Sequence, residues 1–206
     1  MEFLPIFIIE GFYYLLTNAD VIIVGFYLAP EKVAVYFAAA KTMALVHFIY
    51  FAVKAGAAPK FSSMVAENKM VELDNFAKQT ARWTLIPTLV IGGLVLLLGR
   101  FLLSMFGESF VEGHTVMIIL FFGILAKSLI GPGEILLTMA GKQKVCMIVY
   151  AGALAANIAL NISLIPLFGI QGAAFATAGA MTIEAILLFF VIRSQLGITM
   201  AFLFPY

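Results

Sequence analysis

The stretch NIALNISLIPLFGIQGAAFATA, Asn157 to Ala178, decides the fold. It opens as an apolar helix carrying two asparagines one turn apart, Asn157 and Asn161. That helix is expected to stop at Pro166, whose ring lacks the N–H a continuing helix needs. The connection Leu167 to Gln171 contains no charge, and a second helix opens on the small residues Gly172, Ala173, Ala174, Ala176 and Ala178. The pattern predicts a hairpin of two membrane-spanning helices, one packing closely through its small residues and the other carrying paired amides into the membrane.

The rest of the chain repeats the theme. Of 206 residues, 64% are hydrophobic and 11% charged, too much apolar surface for a soluble fold to hide. The solvent is therefore lipid. A net charge of +1 carries no nucleic-acid signature, and no nucleic-acid partner is expected. A lone cysteine, Cys146, excludes an intramolecular disulfide and supplies no metal set. The first nine residues hold no Lys or Arg, and the apolar run from Phe3 to Leu28 is too long for a signal peptide. Both chain ends fall in apolar runs, so the expectation is a portion of a larger transporter.

A spanning helix needs about 20 mostly apolar residues. Six segments qualify, at about 3–28, 33–60, 82–106, 114–139, 144–166 and 172–193, within a single transmembrane domain over 1–206. Breaks fall at Ala29-Pro30-Glu31-Lys32, Gly107-Glu108-Ser109, Gly141-Lys142-Gln143-Lys144 and Phe168-Gly169. The polar connection at about 66–81 places Met70, Leu73, Phe76 and Ala77 on one helical side and Glu67, Lys69, Glu72, Asp74 and Lys78 on the others. It is expected to form a short amphipathic helix at the membrane surface. The fold class is all-α membrane protein: six transmembrane helices in one bundle, with one interfacial amphipathic helix. Lys60, Lys69, Lys78, Arg82, Lys142, Lys144 and Arg193 fall on the side shared by both termini, against Lys32 and Arg100 on the other. This bias predicts cytoplasmic termini.

Ionisable groups inside a span cost about 2.5–3.5 kcal/mol each near the centre, so they need a partner or a wet cavity. On the first helix Glu10, Tyr13, Tyr14 and Thr17 form a stripe that Asp20 extends. It reads as the wall of a hydrated path or as a structural hydrogen-bond seam. The second helix carries Lys41, His47 and Lys54. Lys54 is expected to snorkel to the nearby interface, His47 to be a packing residue, and Lys41 to face a cavity. On the fourth, Lys127 and Glu134 are seven residues apart with Gly131-Pro132-Gly133 between them. Pro132 kinks or breaks the helix, and freed backbone is tolerated only against protein or a water-lined cavity. A central lysine beside a hinge suits a moving helix that holds an anion; the alternative is a static kink with Lys127 paired to an acid elsewhere. Glu184, on the sixth helix, either pairs with a buried lysine or exchanges a proton. Beside it Gly172, Ala176 and Ala180 form a small-residue packing row. Asn157 and Asn161 either line the cavity or bond across helices.

The chain has no HExxH, GxSxG, P-loop or GxGxxG signature, and no His or Cys pair at metal-ligand spacing. Neither catalysis nor a bound metal is expected.

Three stretches carry a resemblance. LNISLIPLFGIQGAAFATAGA (Leu160 to Ala180), NADVIIVGFYLAPEKVAVYFAAAK (Asn18 to Lys41) and GEILLTMAGKQK (Gly133 to Lys144) together resemble the C-terminal half of the polysaccharide-type branch of the multidrug/oligosaccharidyl-lipid/polysaccharide flippase superfamily. The resemblance implies one bundle of a MATE-like flippase, with two six-helix bundles forming a V that alternates between inward-open and outward-open states. The partner bundle, N-terminal in that family, is missing from this chain. The implied cargo is a lipid-linked (undecaprenyl-diphosphate) oligosaccharide for polysaccharide or O-antigen biosynthesis, moved across a bacterial inner membrane among membrane lipids. No cofactor is implied beyond coupling to H+ or Na+. Carried over by position, Lys41 and Lys127 are candidates for the anionic headgroup. Glu10, Asp20, Glu134, Glu184, Asn157 and Asn161 are candidates for ion coupling or the polar cavity wall, and Gly131, Pro132 and Gly133 for a hinge. The alternatives are a cation-coupled multidrug exporter of the same superfamily and a non-transporting membrane scaffold or assembly subunit.

Overall fold

A computed structural model describes the backbone of residues 3–200; the side chains of residues 3–6, Tyr13, Leu16 and Thr17 lie outside the described set. The described backbone is helical almost throughout. In order it forms α1 (Phe3–Tyr27), α2 (Pro30–Ala66), α3 (Met70–Leu97), α4 (Gly99–Ser104), a 3-10 turn (Glu108–Gly113), α5 (His114–Ile130), α6 (Gly133–Met139) and α7 (Gln143–Leu196). Among the described residues, four stretches are long and apolar enough to cross a membrane: Pro30–Ala66, Met70–Leu97, Glu108–Met139 and Gln143–Leu196.

The last of these is the expected hairpin. Gly169 adopts φ 58° and ψ −134°, which breaks the helix at one residue, in a region of backbone space that glycine enters without penalty. Beyond it the chain runs back along itself. A Cβ added at Gly172 would lie 2.2 Å from the Leu164 carbonyl oxygen, and one at Gly179 would lie 3.3 Å from Leu160 Cδ1. These contacts pair the arms antiparallel and explain the small residues. Gly172, Ala176 and Ala180 are all buried, as a close-packing row requires. The helix does not stop at Pro166 as expected. It runs through Phe168, because a proline in a last turn deletes only one backbone bond and the glycine makes the actual reversal.

The turns after α1, around α4 and the 3-10 turn, and at Gly169 define an upper end. The turns at 67–69 and 140–142, together with the first and last described residues, define a lower end. Pro30 opens α2 at a first-turn position where its missing N–H costs nothing. The amphipathic stretch 66–81 does not stand apart: from Met70 onward it forms the lower turns of α3, which runs on through Pro87 to Leu97. Its apolar side, Leu73, Phe76 and Ala77, packs with Ala57, Phe61, Leu136 and Tyr150 in the lower core. The expected third span therefore starts lower, and its upper limit moves to Leu97, with the short α4 beyond Leu98.

The expected break in the fourth span is present. Gly131 has φ 72° and ψ −162°, and α6 starts afresh at Gly133. A Cβ at Gly131 would come within 2.9 Å of Ala81 Cα, so only glycine lets this bend press onto α3. A second core, in the upper half, gathers Tyr36, Met43, Leu103, Met117, Leu120 and Ala173. The two cores leave polar groups in two places.

Candidate functional site

The lower polar group is a closed set of ion pairs. Lys127 near the end of α5 donates to Glu184 Oε1 on the second arm of α7 at 2.7 Å, and the two side chains are 6% and 0% exposed. The Tyr50 and Tyr150 rings lie 5.0 and 5.8 Å from the Lys127 ammonium, close enough for their π-faces to share the charge. On the other side of Tyr50, its hydroxyl donates to Glu134 Oε2. Lys54 then lies 3.2 Å from Glu10 Oε1 and 3.6 Å from Glu134 Oε1. Charge in this half is thus answered by charge. Removing one member of such a buried pair leaves the other uncompensated, at a typical cost of about 3–5 kcal/mol.

Several expectations resolve here. Lys127 does not face an open cavity: Glu184 takes its charge, and Glu184 takes the alternative of pairing with a lysine. Lys54 does not snorkel to an interface but stands between two carboxylates. Between Lys127 and Glu134 the Gly131-Pro132 break re-aims the chain, and α6 turns Glu134 towards Tyr50 and Lys54. Gly131, Pro132 and Gly133 are all buried at that break.

The upper polar group is built differently. Asp20 on α1 is 4% exposed. Its Oδ2 accepts from the Tyr36 hydroxyl of α2 at 2.5 Å and from Thr177 Oγ1 of α7 at 3.1 Å, and its Oδ1 accepts from the Val21 amide at 2.8 Å. No lysine or arginine lies within ion-pair distance of this carboxylate among the described residues. Nearby, Lys41 Nζ donates to Asn18 Oδ1 at 3.2 Å and sits 5.3 Å from the Phe37 ring centroid. It too has no ion-pair partner among the described residues, and its residue is exposed. Between them opens a cleft of about 250 Å³ whose polar lining is Asn18, Asp20, Lys41, His47 and Thr177.

His47 joins the two groups. It lines the upper cleft and also a small void beside Lys127, Ser128 and Thr88. Asn157 and Asn161 are fully buried and bond along their own helix: Asn161 Nδ2 donates to the Asn157 backbone oxygen at 2.9 Å and to its Oδ1 at 3.1 Å. Asn157 Nδ2 and Asn161 Oδ1 have no protein partner among the described residues. Tyr13 and Thr17 of the predicted stripe lie outside the described side chains. Glu10 reaches Lys54, and Asn18, which the stripe omits, reaches Lys41.

The sequence reading missed the three tyrosines. Tyr36, Tyr50 and Tyr150 sit in helices otherwise apolar at those positions. A phenol deep in a span needs a polar partner, and that requirement is the signal that was present.

A family model, MatE, matches residues 5–163. The chain belongs to the MatE family. It is thereby a transporter-family protein of multi-pass membrane type, not a member of an enzyme family. Among curated proteins it is similar to the probable flippase AglR of Haloferax volcanii, at 28% identity over 176 residues, covering 82% of this chain and 36% of that protein. Among solved structures it resembles a MOP superfamily transporter from Pyrococcus furiosus, described as having a binding pocket of reverse polarity. The match has a TM-score of 0.67 and 23% identity, covering 96% of this chain and 45% of that one. The second likeness establishes a shared fold. The chain spans less than half the length of either relative.

Proposed function

We propose that this chain forms one bundle of a MatE-family flippase that carries a lipid-linked oligosaccharide across the cell membrane by alternating access. A second six-helix bundle completes the cavity in this reading, and both ends of this chain face the cytoplasm. The observation that carries it is Lys41: an exposed lysine in the upper part of the spanning helix α2, beside a cleft and without an ion-pair partner among the described residues. A cation in that position is costly in lipid. An anionic substrate such as a diphosphate-linked glycan relieves the cost by supplying the direct ion pair that the neighbouring Asp20, held by Tyr36 and Thr177, does not make. Flipping, as named for the Haloferax relative, fits that chemistry. In this reading an H+ or Na+ gradient couples through Asp20, which shares the cleft, while Glu10, Glu134 and Glu184 hold lysines.

One observation favours a second reading. Asp20 lines the same cleft with a carboxylate held only by neutral donors, which would suit a cationic drug. The experiment places a single cysteine at Ala44, an uncharged cleft residue, in a Cys146→Ser background of the full-length protein. A membrane-impermeant thiol reagent is applied from each side. Labelling that changes side when a polyprenyl-diphosphate glycan is supplied supports the flippase. A change with lipophilic cations only supports the exporter. Labelling that never changes side defeats both and leaves a scaffold.

A further inference from the structure

Lys41 stands on a ridge between two dissimilar hollows. On one side of α2 is the polar cleft with Asn18, Asp20 and Thr177. On the other is a groove of about 760 Å³ between α2 and the segment that contains α4 and the 3-10 turn. Apart from Lys41 and Thr42 its lining is apolar. The floor is small, Ala34, Ala38 and Thr42 at four-residue intervals, and the Thr42 hydroxyl is turned back to the Ala38 carbonyl at 2.8 Å. The walls are large: Phe37 and Leu45 on α2, and Met105 and Phe106 opposite.

We infer that this groove holds the hydrocarbon tail of a phosphate-bearing lipid whose phosphate is neutralised by Lys41. The inference rests on the flippase reading for the class of lipid, and it adds where the tail lies. Charge selects this occupant, because the groove's only ionic group is a cation without an ion-pair partner among the described residues. Length agrees with it: from Ala34 to Leu45 the groove follows α2 for about 16 Å at ~1.5 Å per residue, and beyond Lys41 and the internally bonded Thr42 its walls offer a hydrocarbon chain apolar contact throughout. The three parts of a lipid–phosphate–glycan then fall in order across one helix: tail in the groove, phosphate at Lys41, sugar in the cleft.

The test uses the purified full-length protein in lipid nanodiscs with a polyprenyl diphosphate bearing a diazirine on its tail. After photolysis, adducts are mapped by mass spectrometry. The expected result is adducts concentrated on Leu102, Met105, Phe106 and Phe110, with yield falling about tenfold in Lys41→Gln. The uncharged polyprenol carrying the same diazirine should be insensitive to that substitution. Ala34→Phe, which fills the floor, should also abolish groove labelling; if it fails to fold, Lys41→Gln, at an exposed position, decides alone. Adducts scattered evenly over the outward faces of the helices would overturn the inference. So would equal labelling by diphosphate and alcohol, or protection of the groove by another part of the protein. Failure here is separable from failure of the flippase reading. Side-switching at Ala44 without groove adducts removes only the tail site, whereas adducts without switching remove transport and leave a lipid-binding bundle.

Discussion

The two polar regions of this bundle use the same residue types to opposite ends. In the lower half, every described lysine inside the bundle has a carboxylate: Lys127 has Glu184, and Lys54 has Glu10 and Glu134. In the upper half, Asp20 is held by a phenol, a hydroxyl and an amide, while Lys41 has an asparagine and a ring face. Charges that are matched internally hold helices together, and a ligand must break them to use them. A charge solvated by neutral groups keeps its field for something that arrives. In the proposed reading the lower region is architecture and the upper region the substrate site, although both contain the acids and lysines that composition alone would rank equally.

The largest expected effect attacks the lower region. Glu184→Leu strands Lys127 in a dry interior and should cost about 3–5 kcal/mol, read as a lower unfolding midpoint in detergent. The double variant Lys127→Met with Glu184→Leu should recover most of that loss, since a well-packed apolar pair often matches a buried ion pair. If the double variant is as damaged as the single one, the pair has a role beyond packing and the contrast between the regions fails.

A smaller effect belongs to the upper region. Tyr36→Phe removes a short hydrogen bond to Asp20 and should cost about 1.5–3 kcal/mol, the range for bonds to charged groups. A Thr177→Val change removes a longer bond, 3.1 Å, to the same oxygen and should cost less. Combined, the two should be non-additive, because each becomes the other's substitute on Oδ2. Equal and additive losses would mean the two donors act on Asp20 independently.

Lys41→Gln should not lower stability, because it removes an ammonium that lipid disfavours, while flipping of a diphosphate lipid in reconstituted vesicles falls at least tenfold. That combination sharpens the comparison most, since Lys127 variants are expected to lose stability first. A Lys41→Gln protein that is strongly destabilised would move Lys41 into the architectural class.

What the sequence disclosed and what it withheld divide along the same line. The spans, the Gly131-Pro132 break and the reversal near Gly169 follow from local chemistry: apolar length, a missing N–H and a glycine. The pairing of Lys127 with Glu184 joins residues 57 positions apart, and nothing local states which face of α5 meets which face of α7. Rotation about a helix axis is set by packing, so Lys127 and Lys41 look alike in sequence and differ in the fold. The stretch 66–81 misled for the converse reason. Its amphipathic pattern was right, but the apolar side met Phe61 and not lipid, and helix propensity carried it on into α3.

The smallest effect lies outside the bundle, at the lower turn between α2 and α3, and it supplies a baseline for the other contrasts. Lys69 Nζ is 2.7 Å from Glu67 Oε2, and Ser63 Oγ donates to Glu67 Oε1 at 2.8 Å. The hydrogen bond from Lys69 holds the Glu67 carboxyl below its ordinary value of 4.5, and the same bond holds Lys69 above 10.5. A lowered carboxylate pKa adds stability that is present above the ordinary value and fades as pH falls through the lowered one. A raised lysine pKa adds stability that is present below the ordinary value and fades as pH rises through the raised one. Both contributions are therefore complete near neutral pH and disappear at the two extremes. Because water reaches both side chains, salt should screen the pair. Glu67→Gln should leave the melting profile between pH 6 and 9 nearly unchanged at about 0.5 M salt, where the Debye length is only a few ångströms. A large shift under those conditions would show that this turn fixes the register of α2 against α3, and that ion pairs can be architectural even where water reaches them.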